Sequence, residues 1–183
     1  MPMTTFSPPS RPPCVTLIGM AGAGKSTVGR LVAEGLGFGH LDTDDLISAA
    51  YSRPLQAAYD LLGRERFLAA EEALVCALDV TRCVVSTGGS VVYSPRAVAR
   101  LKFLGPVVHL YADLDNVAAR VAHNPQRGLC IAPGQTLAEL VAEREPLYRA
   151  AADFTLDSCG RDPAACAAGI LDWLAGRGFD RVA

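Results

Sequence analysis

The chain has only two lysines, Lys25 and Lys102, among seventeen basic residues. Its net charge is −2 over 183 residues. That balance gives no sequence-wide attraction to nucleic acid or to an anionic membrane. No apolar run approaches the ~20 residues needed to span a bilayer. The six cysteines, Cys14, Cys76, Cys83, Cys130, Cys159 and Cys166, show no C-x-x-C spacing. Several fall within apolar runs, so reduced core thiols are expected rather than a zinc site or disulfides. His40, His109 and His123 show no metal spacing either. Met1 to Pro13 holds five prolines and no apolar h-region. It is expected to be a disordered lead, not a signal peptide, and the protein to be cytoplasmic. What remains, residues 14–183, has the length and the apolar half of its composition that suit one globular domain.

Against this background of few lysines, Lys25 stands in a motif. Gly19-Met20-Ala21-Gly22-Ala23-Gly24-Lys25-Ser26-Thr27 fits G-x-x-x-x-G-K-[ST], the phosphate-binding P-loop. Cys14 to Ile18 before it is a short apolar run suited to a buried strand. Val28 to Leu36 after it places apolar residues at helical spacing. Strand, glycine loop and helix bring backbone N–H groups and a helix N-terminus onto an anion. Gly22, Ala23, Gly24, Lys25, Ser26 and Thr27 would therefore hold the phosphates of ATP. Lys25 reaches the β- and γ-phosphates and Ser26 holds Mg²⁺.

Short apolar runs alternate with helical patterns along the rest of the chain, which predicts βαβ units and a parallel sheet. Strands are expected at 14–19, 39–42, 83–86, 106–111 and 153–156. Helices are expected at 25–36, 44–51, 54–62, 64–79, 95–103, 114–123, 136–150 and 163–176. Ligands in such sheets sit at the carboxyl ends of strands. Polar clusters follow strands here: Asp42-Thr43-Asp44, then Ser86 to Ser90, then Asp113. The stretch 122–135 mixes two prolines and two glycines with polar residues, and is expected to be a lid. Asp42 and Asp44 lie two apart after a strand. They suit the two carboxylate tasks of a kinase, one near Mg²⁺ and one near the attacking hydroxyl. A plain helix N-cap at Thr43 or Asp44 is the competing reading.

The P-loop continued to Gly29-Arg30, Leu41-Asp42-Thr43-Asp44, the Gly88-Gly89 turn, Arg127, and Arg144-Glu145-Pro146-Leu147-Tyr148 together resemble shikimate kinase, a family of P-loop small-molecule kinases. The resemblance covers roughly residues 14 to 176. It implies an α/β fold with a five-stranded parallel sheet in order 2-3-1-4-5, ATP with Mg²⁺, and a chain that is often monomeric. By position, it implies that Asp42 holds Mg²⁺ through water and that Asp44 meets the acceptor hydroxyl. Gly88 and Gly89 would offer backbone contacts to the acceptor, and Arg144 would grip its carboxylate. Arg127 would reach the transferring phosphate from the lid, and Arg120 and Arg161 would lie near adenine. Arg144 could instead be a surface partner of Glu143 or Glu145.

Two departures bear on the acceptor. The family segment Gly-Glu-x-x-Phe-Arg-x-x-Glu reads Gly63-Arg64-Glu65-Arg66-Phe67-Leu68-Ala69-Ala70-Glu71 here. The arginine that grips shikimate has become Leu68, and its partner acid survives as Glu71. The family's third glycine is Ser90. Losing a bidentate arginine contact costs on the order of 2–3 kcal/mol unless another cation replaces it. Arg64, one helical turn before Leu68, is the first candidate. Alternatively, Glu71 and Ser90 meet a substrate ammonium. Carboxylate, ammonium and hydroxyl describe a hydroxy amino acid, so homoserine is the favoured acceptor and shikimate the alternative. A gluconate-type sugar-acid kinase is a further alternative. A nucleotide-binding regulator without turnover is disfavoured by the intact Lys25, Asp42, Asp44, Arg127 and Arg144.

Overall fold

The computed structural model describes residues 13–123, 129–132 and 134–179. Five strands form: β1 Val15–Ile18, β2 Gly39–Asp42, β3 Cys83–Ser86, β4 Val107–Tyr111 and β5 Phe154–Asp157. They build one sheet in the order β2-β3-β1-β4-β5, and every pairing is parallel. All five expected strands are present, and the sheet order is the expected one.

A parallel sheet must be covered on both faces, and the alternation of side chains shows how. Val15, Leu17, Val84, Val108 and Leu110 point to one face, against helices α1 (Lys25–Leu36) and α7 (Pro163–Ala175). Cys14, Ile18, Cys83, Val85 and Val107 point to the other. There they meet Val75, Leu101, Leu140 and Tyr148, carried by α3 (Leu55–Ala77), α4 (Pro95–Leu104) and α6 (Leu137–Ala151). Fully burying such a side chain contributes about 1.5–3 kcal/mol, so these two apolar layers carry the fold. Helix α2 (Thr43–Tyr51) and the first half of α3 make a smaller third cluster around Ile47, Ala58 and Phe67. Helix α5 (Leu114–His123) follows β4.

Helix boundaries follow local chemistry. Asp42 caps α2 by accepting from the Asp44 N–H at 3.0 Å, so the cap is one or two residues earlier than expected and the helix opens at Thr43. Thr136 and Glu139 form a reciprocal capping box on α6. The helices expected at 54–62 and 64–79 run on as α3, broken at Gly63, whose φ of 70° and ψ of 168° are not helical. A short 3-10 turn, Val91–Tyr93, was not expected. All six cysteines are free, four of them buried.

The expected lead at 1–13 falls on residues of which only Pro13 is described. Of the expected lid, 124–128 and 133 lie outside the described residues, Arg127 among them. Its returning limb is anchored. Cys130 is buried against Ile47, Ala58 and Phe67, and the Tyr59 hydroxyl donates to the Ile131 carbonyl at 3.0 Å.

Candidate active site

The site grows from the carboxyl ends of β1 and β3, where the first strand gives way to the P-loop. Gly24 adopts a left-handed conformation (φ 99°) as the N-cap of α1, and Lys25 is the first helical residue. The Lys25 ammonium is buried and donates to the Gly19 and Met20 carbonyls, both at 2.8 Å. It is held inside the loop that the phosphates would enter. Ser26 Oγ donates to the Asp42 carboxylate at 2.5 Å, which brings the end of β2 against the start of α1. Two hard oxygen ligands in contact fit Mg²⁺, which takes one or two protein oxygens and completes its shell with phosphates and water. Asp42 is thus both helix cap and candidate metal residue, and the two readings of the Asp42–Asp44 pair coexist.

Two cavities flank the loop. One, of about 590 Å³, is lined by Gly22, Ala23, Gly24 and Thr27, with Asn116 and Arg120 from α5 and Ser158, Arg161, Pro163 and Cys166 beyond β5. The Arg120 guanidinium donates to the Gly22 carbonyl at 3.0 Å. Arg120 and Arg161, 41 positions apart in sequence, thus meet over one cleft that a nucleotide base can enter. Asn116 and Ser158 belong to it as well. The sequence carries no motif signal for either.

The other, of about 220 Å³, is lined by Ala21, Lys25 and Ser26 from the loop, Asp42 and Asp44, Gly89 and Ser90, Phe67, Cys130 and Arg144. The P-loop therefore faces both cavities, with Gly22 to Gly24 and Thr27 on the larger and Ala21, Lys25 and Ser26 on the smaller. A triphosphate lying along the loop would carry its γ-phosphate into this smaller chamber. Arg144 is 1% exposed, although it sits on a helix with Glu143 and Glu145 to either side. Its Nε donates to the Tyr93 hydroxyl at 3.1 Å and its Nη2 to the Cys130 carbonyl at 2.6 Å. Glu145 pairs instead with Arg149 at 2.6 Å. A surface pairing does not account for Arg144; it is a cation pointed inward.

Gly88 and Gly89 do different things. The Gly88 N–H donates to Thr43 Oγ1 at 3.0 Å, which ties the turn to the start of α2. The reason for a glycine there is space. A Cβ at Gly88 would stand 2.2 Å from Glu71 Oε1 and 2.7 Å from Asp44 Oδ1. Gly89 does line the chamber, and its carbonyl accepts from the buried Tyr148 hydroxyl at 2.6 Å.

Glu71 and Ser90, expected to share a substrate ammonium, hydrogen-bond to each other. Ser90 Oγ donates to Glu71 Oε2 at 2.6 Å, while Oε1 is buried without a hydrogen-bond partner. Burial pushes the Glu71 carboxyl up to about 7, opposed by the Ser90 hydrogen bond and reinforced by nearby Asp44. Leu68 does not line this chamber. It is half-buried beside Phe67 and lines a neighbouring cavity of about 210 Å³ with Glu71, Ser90 and Tyr93. Behind the loop, His109 on β4 is buried and stacks on the Tyr148 ring at 5.1 Å. Burial, with Arg149 and Lys25 nearby, lowers it to about 4, so it is neutral and its 3.7 Å approach to Glu145 is not an ion pair.

This arrangement can bind a nucleoside triphosphate on one side and a small anionic alcohol on the other, with a carboxylate and two cations between. Comparisons with known proteins agree. The family model described as shikimate kinase matches residues 21–175. A shikimate kinase of Geobacter metallireducens is 37% identical over 180 residues, covering 97% of this chain and all of that protein. One of Gloeobacter violaceus is 40% identical over 152 residues, 81% of this chain and 85% of its own. Among solved structures, a shikimate kinase from Acinetobacter baumannii in complex with shikimate superposes with a TM-score of 0.84 at 30% identity. It covers 92% of this chain and 96% of that one. With the sheet order, the P-loop and the inward-facing Asp44 and Arg144 in place, the chain belongs to the shikimate kinase family.

Proposed function

We propose that the chain transfers the γ-phosphate of ATP to a hydroxyl of shikimate. That it is an ATP- and Mg²⁺-dependent kinase with an alcohol acceptor follows from its family. The observation that carries the acceptor is the chamber: a buried Arg144 for a carboxylate and Asp44 for a hydroxyl, both beside the P-loop lysine. Relatives named for shikimate cover nearly the whole chain, and this supports the same acid. The homoserine preference read from Leu68 loses its main premise, because Leu68 faces the neighbouring cavity.

The mechanism is positioning and electrostatics, with no covalent enzyme intermediate. The P-loop amides and Lys25 hold the triphosphate. To do so Lys25 exchanges its two loop carbonyls for phosphate oxygens, a trade of neutral for charged acceptors. Ser26 and Asp42 are the residues that would hold Mg²⁺, whose charge offsets that of the β- and γ-phosphates. Asp44 orients the acceptor hydroxyl and can take its proton, while Arg144 fixes the carboxylate end. Arg127 is assigned to the transferring phosphate by resemblance, and Arg120 and Arg161 to the adenine end of the larger cavity.

One observation favours a second acceptor. Glu71 Oε1 is an unpartnered oxygen close to Asp44, which an ammonium would satisfy. A hydroxy amino acid such as homoserine supplies one. A coupled assay measuring kcat/KM for shikimate and homoserine side by side, with ATP and Mg²⁺, separates the two. Shikimate should be preferred by more than about tenfold. A preference for homoserine would reverse the assignment and leave the kinase reading intact.

A further inference from the structure

Arg144 has part of its guanidinium already committed to the protein. Two of its three guanidinium nitrogens already donate to protein oxygens, Nε to Tyr93 and Nη2 to Cys130. Only Nη1, which lies against Gly89, is uncommitted to these partners. The three remaining N–H groups of Arg144 leave part of a carboxylate's roughly four acceptor sites open to a second donor.

A second guanidinium shares the Tyr93 ring with Arg144. Arg64 begins the helical stretch after the break at Gly63. At helical spacing it shares a face with Phe67 and Glu71, three and seven residues on. Phe67 lines the chamber, and both residues are buried. The face that carries Arg64 is therefore turned inward, although Arg64 itself is only half-buried. Its guanidinium carbon sits 5.2 Å from the centre of the Tyr93 ring, and that of Arg144 sits 5.1 Å from the centre of the same ring. Arg64 Nε is buried without a hydrogen-bond partner. Both cations act on the Cys130 thiol, which lines the chamber, and on the outer Glu143, whose carboxyl also accepts from Tyr93 and Gln135. Two guanidinium groups on one ring, one of them with an unsatisfied buried N–H, supply the donors that a carboxylate recruits.

We propose that Arg64 supplies the second cation that holds the acceptor's carboxylate, working with Arg144 across Tyr93. The inference rests on the acceptor being a hydroxy acid, as proposed above. It makes Arg64 a specificity residue, selecting acids over uncharged alcohols of the same shape. It assigns Arg64 no part in the transfer itself.

The test is equilibrium binding of shikimate and of its primary amide, by calorimetry with ADP present, to wild type, R64Q and R64K. R64Q should weaken the acid about 10- to 100-fold, the range for one lost charged hydrogen bond, and leave the amide unchanged. R64K keeps a cation and should recover part of the loss. KM for the acid should rise while kcat and the ADP affinity hold. Equal weakening of acid and amide would reduce Arg64 to a packing partner of Tyr93, and unchanged binding of both would overturn the proposal. If wild type binds no shikimate, the acceptor assignment fails on its own. The same variants are then read on homoserine against its amide, where loss of acid discrimination still supports Arg64 and its retention overturns it.

Discussion

At the scale of single residues, the chamber concentrates charge that a folded protein would ordinarily avoid. Glu71 is buried with one oxygen unsatisfied, and its carboxyl is pushed up to about 7. Between pH 4.5 and 7 the folded state keeps a proton that the unfolded chain has released. Stability therefore falls as pH rises through that window. Glu71→Gln removes the titration. The variant should match wild type near pH 5 and exceed it by about 1–3 kcal/mol at pH 8, read by urea denaturation at each pH. His109 titrates the opposite way, since its lowered value favours folding as pH rises from about 4 to 6.5, but it is common to both proteins and cancels. A difference that stays flat across pH would mean Glu71 remains charged in the fold. Part of this chamber was legible from letters: Lys25, Ser26, Asp42 and Asp44 as a set, and Arg144 as one of two readings, whereas the Ser90–Glu71 hydrogen bond was not. Nor was the direction of Leu68. A residue one position along a helix turns about 100°, so a motif position alone does not say which cavity a side chain faces.

At the scale of elements, periodicity located every strand and helix, because each strand is buried and short and each helix carries an apolar stripe. It missed the 3-10 turn Val91–Tyr93, which has three residues and no period to detect. The turn matters, since it sets the Tyr93 ring that the Arg64 and Arg144 guanidinium groups both face. Junctions between elements are where single glycines decide the geometry. Gly105 closes α4 and leads into β4, and its N–H bonds the Leu101 carbonyl. A Cβ there would stand 1.9 Å from the Cys14 carbonyl oxygen, a backbone atom at the start of the central strand. Gly105→Ala should cost about 2–4 kcal/mol of stability, since either β1 or the junction must shift. Equilibrium urea unfolding would register this as a lower midpoint with the slope unchanged. A loss under about 0.5 kcal/mol would mean the junction yields freely.

At the scale of the whole molecule, the P-loop is the partition between two cavities, and both open at the carboxyl ends of the same sheet. Ligand binding should therefore stabilise the domain as a unit. Magnesium with a non-hydrolysable ATP analogue at 100 times its Kd should add about 2.7 kcal/mol. For a domain of this size that raises Tm by about 5–10 °C in a thermal scan. Lys25→Met should abolish most of the shift. A variant that keeps the full shift would remove Lys25 from triphosphate binding.

The sequence by itself determined the sheet and its P-loop, since a strand, a glycine loop and a helix N-terminus are local and each rests on neighbouring residues. It also determined that Asp42 and Asp44 follow a strand end. Only the tertiary structure decided that Arg144 faces inward, that Gly88 is a spacer for Glu71 and Asp44, and that Arg64 and Arg144 share one aromatic ring. Those facts depend on which helix face packs against which strand. Packing energy is set by contacts between residues tens of positions apart, and no local pattern records them.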